Sequence, residues 1–148
     1  MEAPEKFTVR LTDWHQHADR LKPVRLQVFV EEQGVPAEIE MDARDAECVH
    51  AMAMDASGRV IGTGRLLPAE AGAARIGRMA VYRDWRGRKV GEAMLFALMD
   101  AARQRGDREI ILHAQLHAAP FYDKHGYERI GGVYEEAGIP HVNMRKVL

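Results

Sequence analysis

The segment Arg86-Gly87-Arg88-Lys89-Val90-Gly91 places three cations and two glycines within six residues. It lies between an apolar run ending at Val81 and an apolar, periodic run starting at Val90, so a strand is expected to give way to a helix there. A helix start offers unpaired backbone N–H groups and a partial positive charge, which together attract a phosphate. Glycines let the backbone come close to the anion, and Arg86, Arg88 and Lys89 add charge. A phosphate cradle is the functional reading; a solvated basic helix start is the structural one. The segment lacks the Lys-Ser/Thr of a Walker loop and the third glycine of a dinucleotide fingerprint.

Charge is unevenly spread. Seven acids, Glu31, Glu32, Glu38, Glu40, Asp42, Asp45 and Glu47, face the single base Arg44, whereas Arg75, Arg78, Arg83, Arg86, Arg88 and Lys89 face only Asp84. Each run can be a solvated surface. Together they suggest a bound anion at one place and a recruited cation at another.

The elements that must hold these residues follow from periodicity. Phe7 to Leu11 alternates as a first strand, and Asp13 can cap a helix from Trp14 that breaks or kinks at Pro23 and ends near Gly34. Gly34 to Asp45 has no clear period and is expected to be a functional loop or a short irregular helix. Val49–Met54 and Arg59–Leu66 form a hairpin across DASG, and after the turn AEAGA a third strand runs from Arg75 to Val81. The spacing of Val90, Ala93, Met94, Ala97, Leu98 and Ala101 predicts a helix stopped by Gly106. EIILHA at Glu109–Ala114 is a central strand, a short helix spans Ala118 to His125, and Tyr127–Ile130 and His141–Val147 close the sheet.

Length and composition set the bounds. With 148 residues, 47% apolar and 29% charged, the chain can bury one core, and a single α/β domain over residues 1–148 is expected. The apolar runs are too short for a membrane helix, and Met1 to Arg10 has no signal-peptide layout, so a cytoplasmic protein is expected. The net charge of −1 argues against general attraction to nucleic acid. Cys48 sits in the apolar run CVHAMAM and reads as a buried structural thiol. His113 and His117 have a zinc-like spacing that spans a strand end and a loop, with no further ligand set, so no metal is expected. Trp85 can stack on a nucleic-acid base or pack near the helix start.

The cradle segment resembles motif A of the GNAT superfamily of acyl-CoA N-acyltransferases, in which Arg or Gln is followed by two residues, Gly, one residue, and Gly or Ala. Arg86 and Gly91 fill the outer places, and Lys89 stands at the middle glycine. RIGRMAV resembles the family's fourth strand, and HAQLHAAPFYDKHGY its second cofactor segment, with Gln115 where Asn is usual. VRLQVFVEEQGVP, the acid-rich loop, GRMAV and EEAGIPHVNM together resemble the ElaA/YjcF-like branch. The resemblance covers nearly the whole chain and implies a mixed, mainly antiparallel sheet flanked by helices (α+β).

It also implies acetyl-CoA as cosubstrate, bound by Arg86, Gly87, Arg88, Lys89, Val90, Gly91 and Glu92 at the cradle. Met79, Ala80 and Val81 would line the pantetheine arm, with Gln115, Phe121 and Tyr122 opposite. Acylation of an amine requires a neutral amine, a polarised thioester carbonyl and an acid for the thiolate. The resemblance gives the acid role to Tyr122, which the residues alone would make a core aromatic beside Phe121. Glu32, Glu40, Glu136 and His141 are candidate bases; His141 is preferred because imidazole titrates near neutrality, although a structural histidine would read the same way. The expected function is acetyl transfer from acetyl-CoA to a primary amine of a small molecule or peptide; the alternative is a non-catalytic acyl-CoA sensor. Exposed closing strands make a homodimer an expectation.

Overall fold

The computed structural model describes residues 6–148. Residues 1–5, half of the Met1–Arg10 stretch read above for an export signal, lie outside the described residues. Seven strands form one sheet in the order β1-β2-β3-β4-β5-β7-β6, with β1 at Phe7–Asp13, β2 at Val49–Asp55, β3 at Val60–Glu70, β4 at Ala73–Val81, β5 at Glu109–Gln115, β6 at Glu128–Glu136 and β7 at Ile139–Val147. All neighbours are antiparallel except β4 and β5. Helices α1 (Trp14–Arg25), α2 (Ala37–Glu40), α3 (Val90–Arg105) and α4 (Ala119–Asp123) complete the fold. No helix among the described residues is long and apolar enough to cross a membrane.

Alternation along β2 assigns the two faces. Ala51 and Ala53 join the core under α3, while Met52 joins the core under α1. Helix α3 buries Val90, Met94, Leu95, Leu98, Met99 and Ala102, a stripe at i, i+4, i+8 spacing, against β1 to β4. Each such leucine or methionine contributes roughly 1.5–3 kcal/mol by leaving water. The helix stops at Gly106, whose left-handed φ of 90° returns its N–H to Ala102 and Arg103.

Three expectations change. The kink in α1 falls at His17, where φ is −131°, and Pro23 sits inside the helix. Past Arg25 the chain widens into a π-helical segment, Leu26–Glu32, before Val35 re-enters the core. The closing strands are longer than Tyr127–Ile130 and His141–Val147 and meet at an Ala137-Gly138 turn with φ of 53° and 75°, a turn geometry that matches strand twist. A register irregularity between Ile130 and Tyr134, with Gly131 at φ 71°, obscures the continuity of β6 in the sequence.

One feature of the sheet shapes the cleft. Strand β4 pairs with β5 only through Ala73, Ala74 and Arg75, then leaves it. On its other side, Thr63 pairs with Ala80 and Arg65 with Gly77, so Gly64 of β3 faces both Arg78 and Met79. This is a β-bulge, and its first residue, Arg78, has a φ of 52°. Gly64 lets the Met79 side chain lie against β3: a Cβ would sit 2.3 Å from the Met79 sulfur and displace it. The bulge turns the free edge of β4 into an opening between the two strands.

Candidate active site

The splay of β4 from β5 opens a cleft of about 710 Å³, a size suited to a small-molecule site. Tyr82 donates its N–H to Ile61 of β3. Strand alternation therefore turns the N–H groups of Val81 and Met79 away from β3, toward the opening. Met79, Ala80, Val81, Arg86, Gly91, Gln115, Phe121, Tyr122 and His141 all line this cleft.

At one end lies the start of α3. No side chain caps it, so its first N–H groups are open to an anion. Lys89, at the place of the motif glycine, adopts the left-handed conformation a glycine would take, with φ 67° and ψ 17°. Gly87 also has positive φ, and a Cβ there would meet nothing within 4 Å, so the loop is open above it. Arg86 is held by Val81 O at 2.9 Å and Glu32 Oε2 at 2.6 Å. Arg88 lies over the Trp85 ring at 5.1 Å, and Trp85 is buried edge-on to Phe7, so it packs at the helix start and presents no free face for a base. Val90 is 1% exposed and points into the core, which leaves only its backbone for a ligand. The Glu92 carboxylate is turned to His125 at 3.5 Å.

Glu32 does not reach the cleft wall. It sits behind the cradle as a counterion of Arg86, with Arg83 at 4.0 Å. Of the candidate bases, Glu40, Glu136 and His141 line the cleft.

Helix α4 brings in the aromatic residues. Phe121 packs edge-on to Tyr122, and Tyr122 to Tyr127, with ring centroids 5.0 and 5.7 Å apart. Tyr122 is 8% exposed, and its hydroxyl has no hydrogen-bond partner among the described residues. Burial pushes its pKa up to about 12, so the phenol stays protonated at neutral pH. A protonated hydroxyl on the wall of this cleft can donate one proton.

Opposite, the β5–β7 pairing sets Gln115 beside His141 and His113 beside Asn143. His141 Nδ1 is 2.7 Å from the carbonyl of Ile139. A carbonyl can only accept, so Nδ1 carries hydrogen and Nε2 is left to take a proton. Glu136 Oε2 lies 3.5 Å from that Nε2, and the Tyr134 ring stacks on the imidazole at 5.9 Å. Gln115 donates to Gln33 at 2.8 Å, joining the two sides of the opening.

The acid-rich stretch is divided: Glu40 and Asp45 are buried and Asp42 half-buried, while Glu31, Glu38 and Glu47 are exposed. Arg25 binds Glu40 and Asp45, Arg65 binds Asp42 and Asp45 at 2.7 and 2.9 Å, and Arg78 reaches Glu40 and Asp42. Three guanidinium groups thus match three carboxylates. Arg65 holds the Asp42 carboxyl well below the usual carboxylate range. Arg78 also donates to the carbonyls of Ile39 and Glu40, which anchors the strained bulge residue from its side-chain end. Glu40, although it lines the cleft, is 1% exposed and committed to Arg25.

The structure brings the β4 segment, Arg86, Gly91, Tyr122 and His141, all singled out in the sequence, to one cleft. Sequence reasoning missed Gly64, whose signal is a glycine within a buried strand, and the anchoring of Arg78. Cys48 is buried, and burial pushes its thiol up to about 11. Among the described residues no group of three or more His, Cys, Asp or Glu could hold a metal ion. His113 instead faces Arg75 at 2.8 Å.

Known proteins share this fold. The acetyltransferase (GNAT) domain family matches residues 17–148. The uncharacterized N-acetyltransferase YjcF of Bacillus subtilis is 40% identical over 124 residues, covering 83% of this chain and 87% of its own. A Lactobacillus plantarum structure superposes with a TM-score of 0.86 at 33% identity, covering 96% and 98% of the two chains. Escherichia coli ElaA superposes with a TM-score of 0.85 at 25% identity, covering 95% and 99%. With the splayed sheet, the open helix start and these relatives in hand, the chain belongs to the GNAT acyl-CoA N-acyltransferases, in the branch of YjcF and ElaA, and is an acetyltransferase enzyme.

Proposed function

We propose that residues 1–148 act as one cytoplasmic catalytic domain that moves an acetyl group from acetyl-CoA to a primary amine, by direct attack with both substrates bound. The observation that carries this reading is the splay of β4 from β5, which puts an open strand edge, a buried phenol and a histidine of defined tautomer on one cleft. Acetyl-CoA, when bound, supplies the acetyl thioester. The α3 start with Arg86 to Glu92 suits its pyrophosphate, since that backbone is uncapped and its cations surround an open loop.

The free N–H groups of Met79 and Val81 can hold the pantetheine arm and polarise the carbonyl. His141 Nε2 accepts the proton of the attacking amine, directly or through water, and Glu136 stabilises the imidazolium that results. Tyr122 donates its proton toward the leaving sulfur. Ile139 O keeps the His141 tautomer fixed throughout. Ile130 and Val133, exposed on the edge strand β6, support assembly as a homodimer, which sedimentation would measure.

The test follows thiol release from acetyl-CoA over a panel of amines, with Tyr122→Phe alongside. The phenylalanine variant should bind coenzyme A normally and lose about 10²–10⁴ in kcat. Full activity in that variant would remove Tyr122 from the acid role. Cofactor binding without turnover on any amine would favour the sensor reading.

A further inference from the structure

Beyond the amine, the cleft carries a recognition element for the rest of the acceptor. We propose that Arg75 binds a carboxylate borne by the amine acceptor, so that the substrates are small amino acids or similar amino carboxylates. The inference rests on the acyl-transfer reading above and names its substrate class.

Most arginines around the cleft already hold carboxylates. Arg65 has Asp42 and Asp45, Arg78 has Glu40 and Asp42, Arg44 has Glu47, and Arg86 has Glu32. Arg75 differs. It lines the cleft, it is half-buried, and among the described residues it pairs with no carboxylate. Its one hydrogen-bond partner is His113, whose Nδ1 lies 2.8 Å from an Arg75 nitrogen. Guanidinium nitrogens only donate, so Nδ1 accepts and His113 is neutral. Burial and the Arg75 charge both lower the His113 pKa, in keeping with that state.

A half-buried cation with only a neutral partner leaves four of its five N–H donors for a ligand, in a fork that fits a carboxylate. Its position suits an acceptor. Arg75 is the last residue of β4 that pairs with β5, at the closed end of the splay. Its head reaches His113, which is two strand positions, roughly 6.6 Å, from the level of Gln115 and His141. Contacts of 3.9 Å from His113 to Glu136 and 3.5 Å from Glu136 to His141 bridge that interval. A carboxylate on Arg75 and an amine at His141 Nε2 are therefore a few bonds apart, as they are within a short amino acid. A phosphate dianion suits the place less well, because one guanidinium half-neutralises it and Glu136 stands nearby.

The experiment uses the full chain with glycine, β-alanine and γ-aminobutyrate, their carboxamides, and 3-aminopropyl phosphate. Acetyl transfer is read as kcat/KM, and binding to the CoA-saturated protein by calorimetry. The carboxylates should exceed the carboxamides by about tenfold to a hundredfold in both readouts. Arg75→Gln should bring that ratio close to one, mainly through KM, and Arg75→Lys should restore part of it. Equal use of carboxylate and carboxamide by the wild type overturns the proposal, whatever the variants do. So does a preference for the phosphate, or a ratio that survives Arg75→Gln. If no amine is acetylated but carboxylates still bind through Arg75, the anchor stands and the acyl-transfer reading fails.

Discussion

The two ends of the cleft use arginine in opposite ways. At the Glu40–Asp45 end, Arg25 and Arg65 are buried among carboxylates, with side chains 1% and 6% exposed, and their charge is spent on holding backbone in place. At the α3 end, Arg86 and Arg88 lie at the surface above an uncapped helix start. Buried charge is strong in position and expensive to uncover, while exposed charge is weak in stability and available to a ligand. The same side chain is therefore buried in the frame at one end and exposed beside a helix start at the other.

Breaking this contrast should give its largest effect at the buried end. Arg25→Ala leaves Glu40 and Asp45 without their partner and should destabilise the fold by about 3–5 kcal/mol in chemical denaturation. Arg86→Ala should stay within about 1 kcal/mol of wild type, yet weaken coenzyme A binding by about tenfold with a shallower salt dependence.

Acid should act first through two histidines. The folded-state pKa values of His50 and His113 are lowered, chiefly by burial. In the unfolded chain these groups take up protons that the folded chain refuses, so stability present above pH about 6.5 should decline below it. Asp42 has a folded pKa lowered chiefly by Arg65, so its contribution is present above its unfolded value of about 3.9 and is lost as pH falls below that. A pH series of melting temperatures should show both declines.

Between the two ends lies the bulge. Gly64→Ala drives a Cβ into the Met79 sulfur and should cost about 1–3 kcal/mol, with a loss of coenzyme A affinity because β4 shifts. The smallest effect belongs to the cradle backbone. Lys89→Gly should stabilise by about 0.5–1 kcal/mol, since it relieves a left-handed residue, whereas Lys89→Ala should not.

Much of this arrangement was legible in the residues themselves. Period-two runs gave the strands, the stripe from Val90 to Ala101 gave α3, and the charged glycine segment marked the helix start. Three features were not legible, each because it depends on residues distant in sequence. The bulge at Arg78 lies opposite Gly64, fourteen residues earlier. Asp42 and Asp45 resemble solvated acids until Arg25, Arg65 and Arg78 close around them. Arg75 resembled one more surface base, and only its pairing with a histidine in place of a carboxylate makes it distinctive.

The placement of β7 between β5 and β6 has a consequence for how the molecule comes into being. Strands β1 to β4 meet sequence neighbours and can pair as soon as they are made. Among the described strands β6 pairs only with β7, and the long flank of β5 waits for the same partner. The wall bearing His141 is thus a late arrival, formed by non-local pairing against a preassembled meander. Pulse-labelled hydrogen exchange should find β2 and β3 protected before β5, with catalytic competence the final property the folding chain acquires.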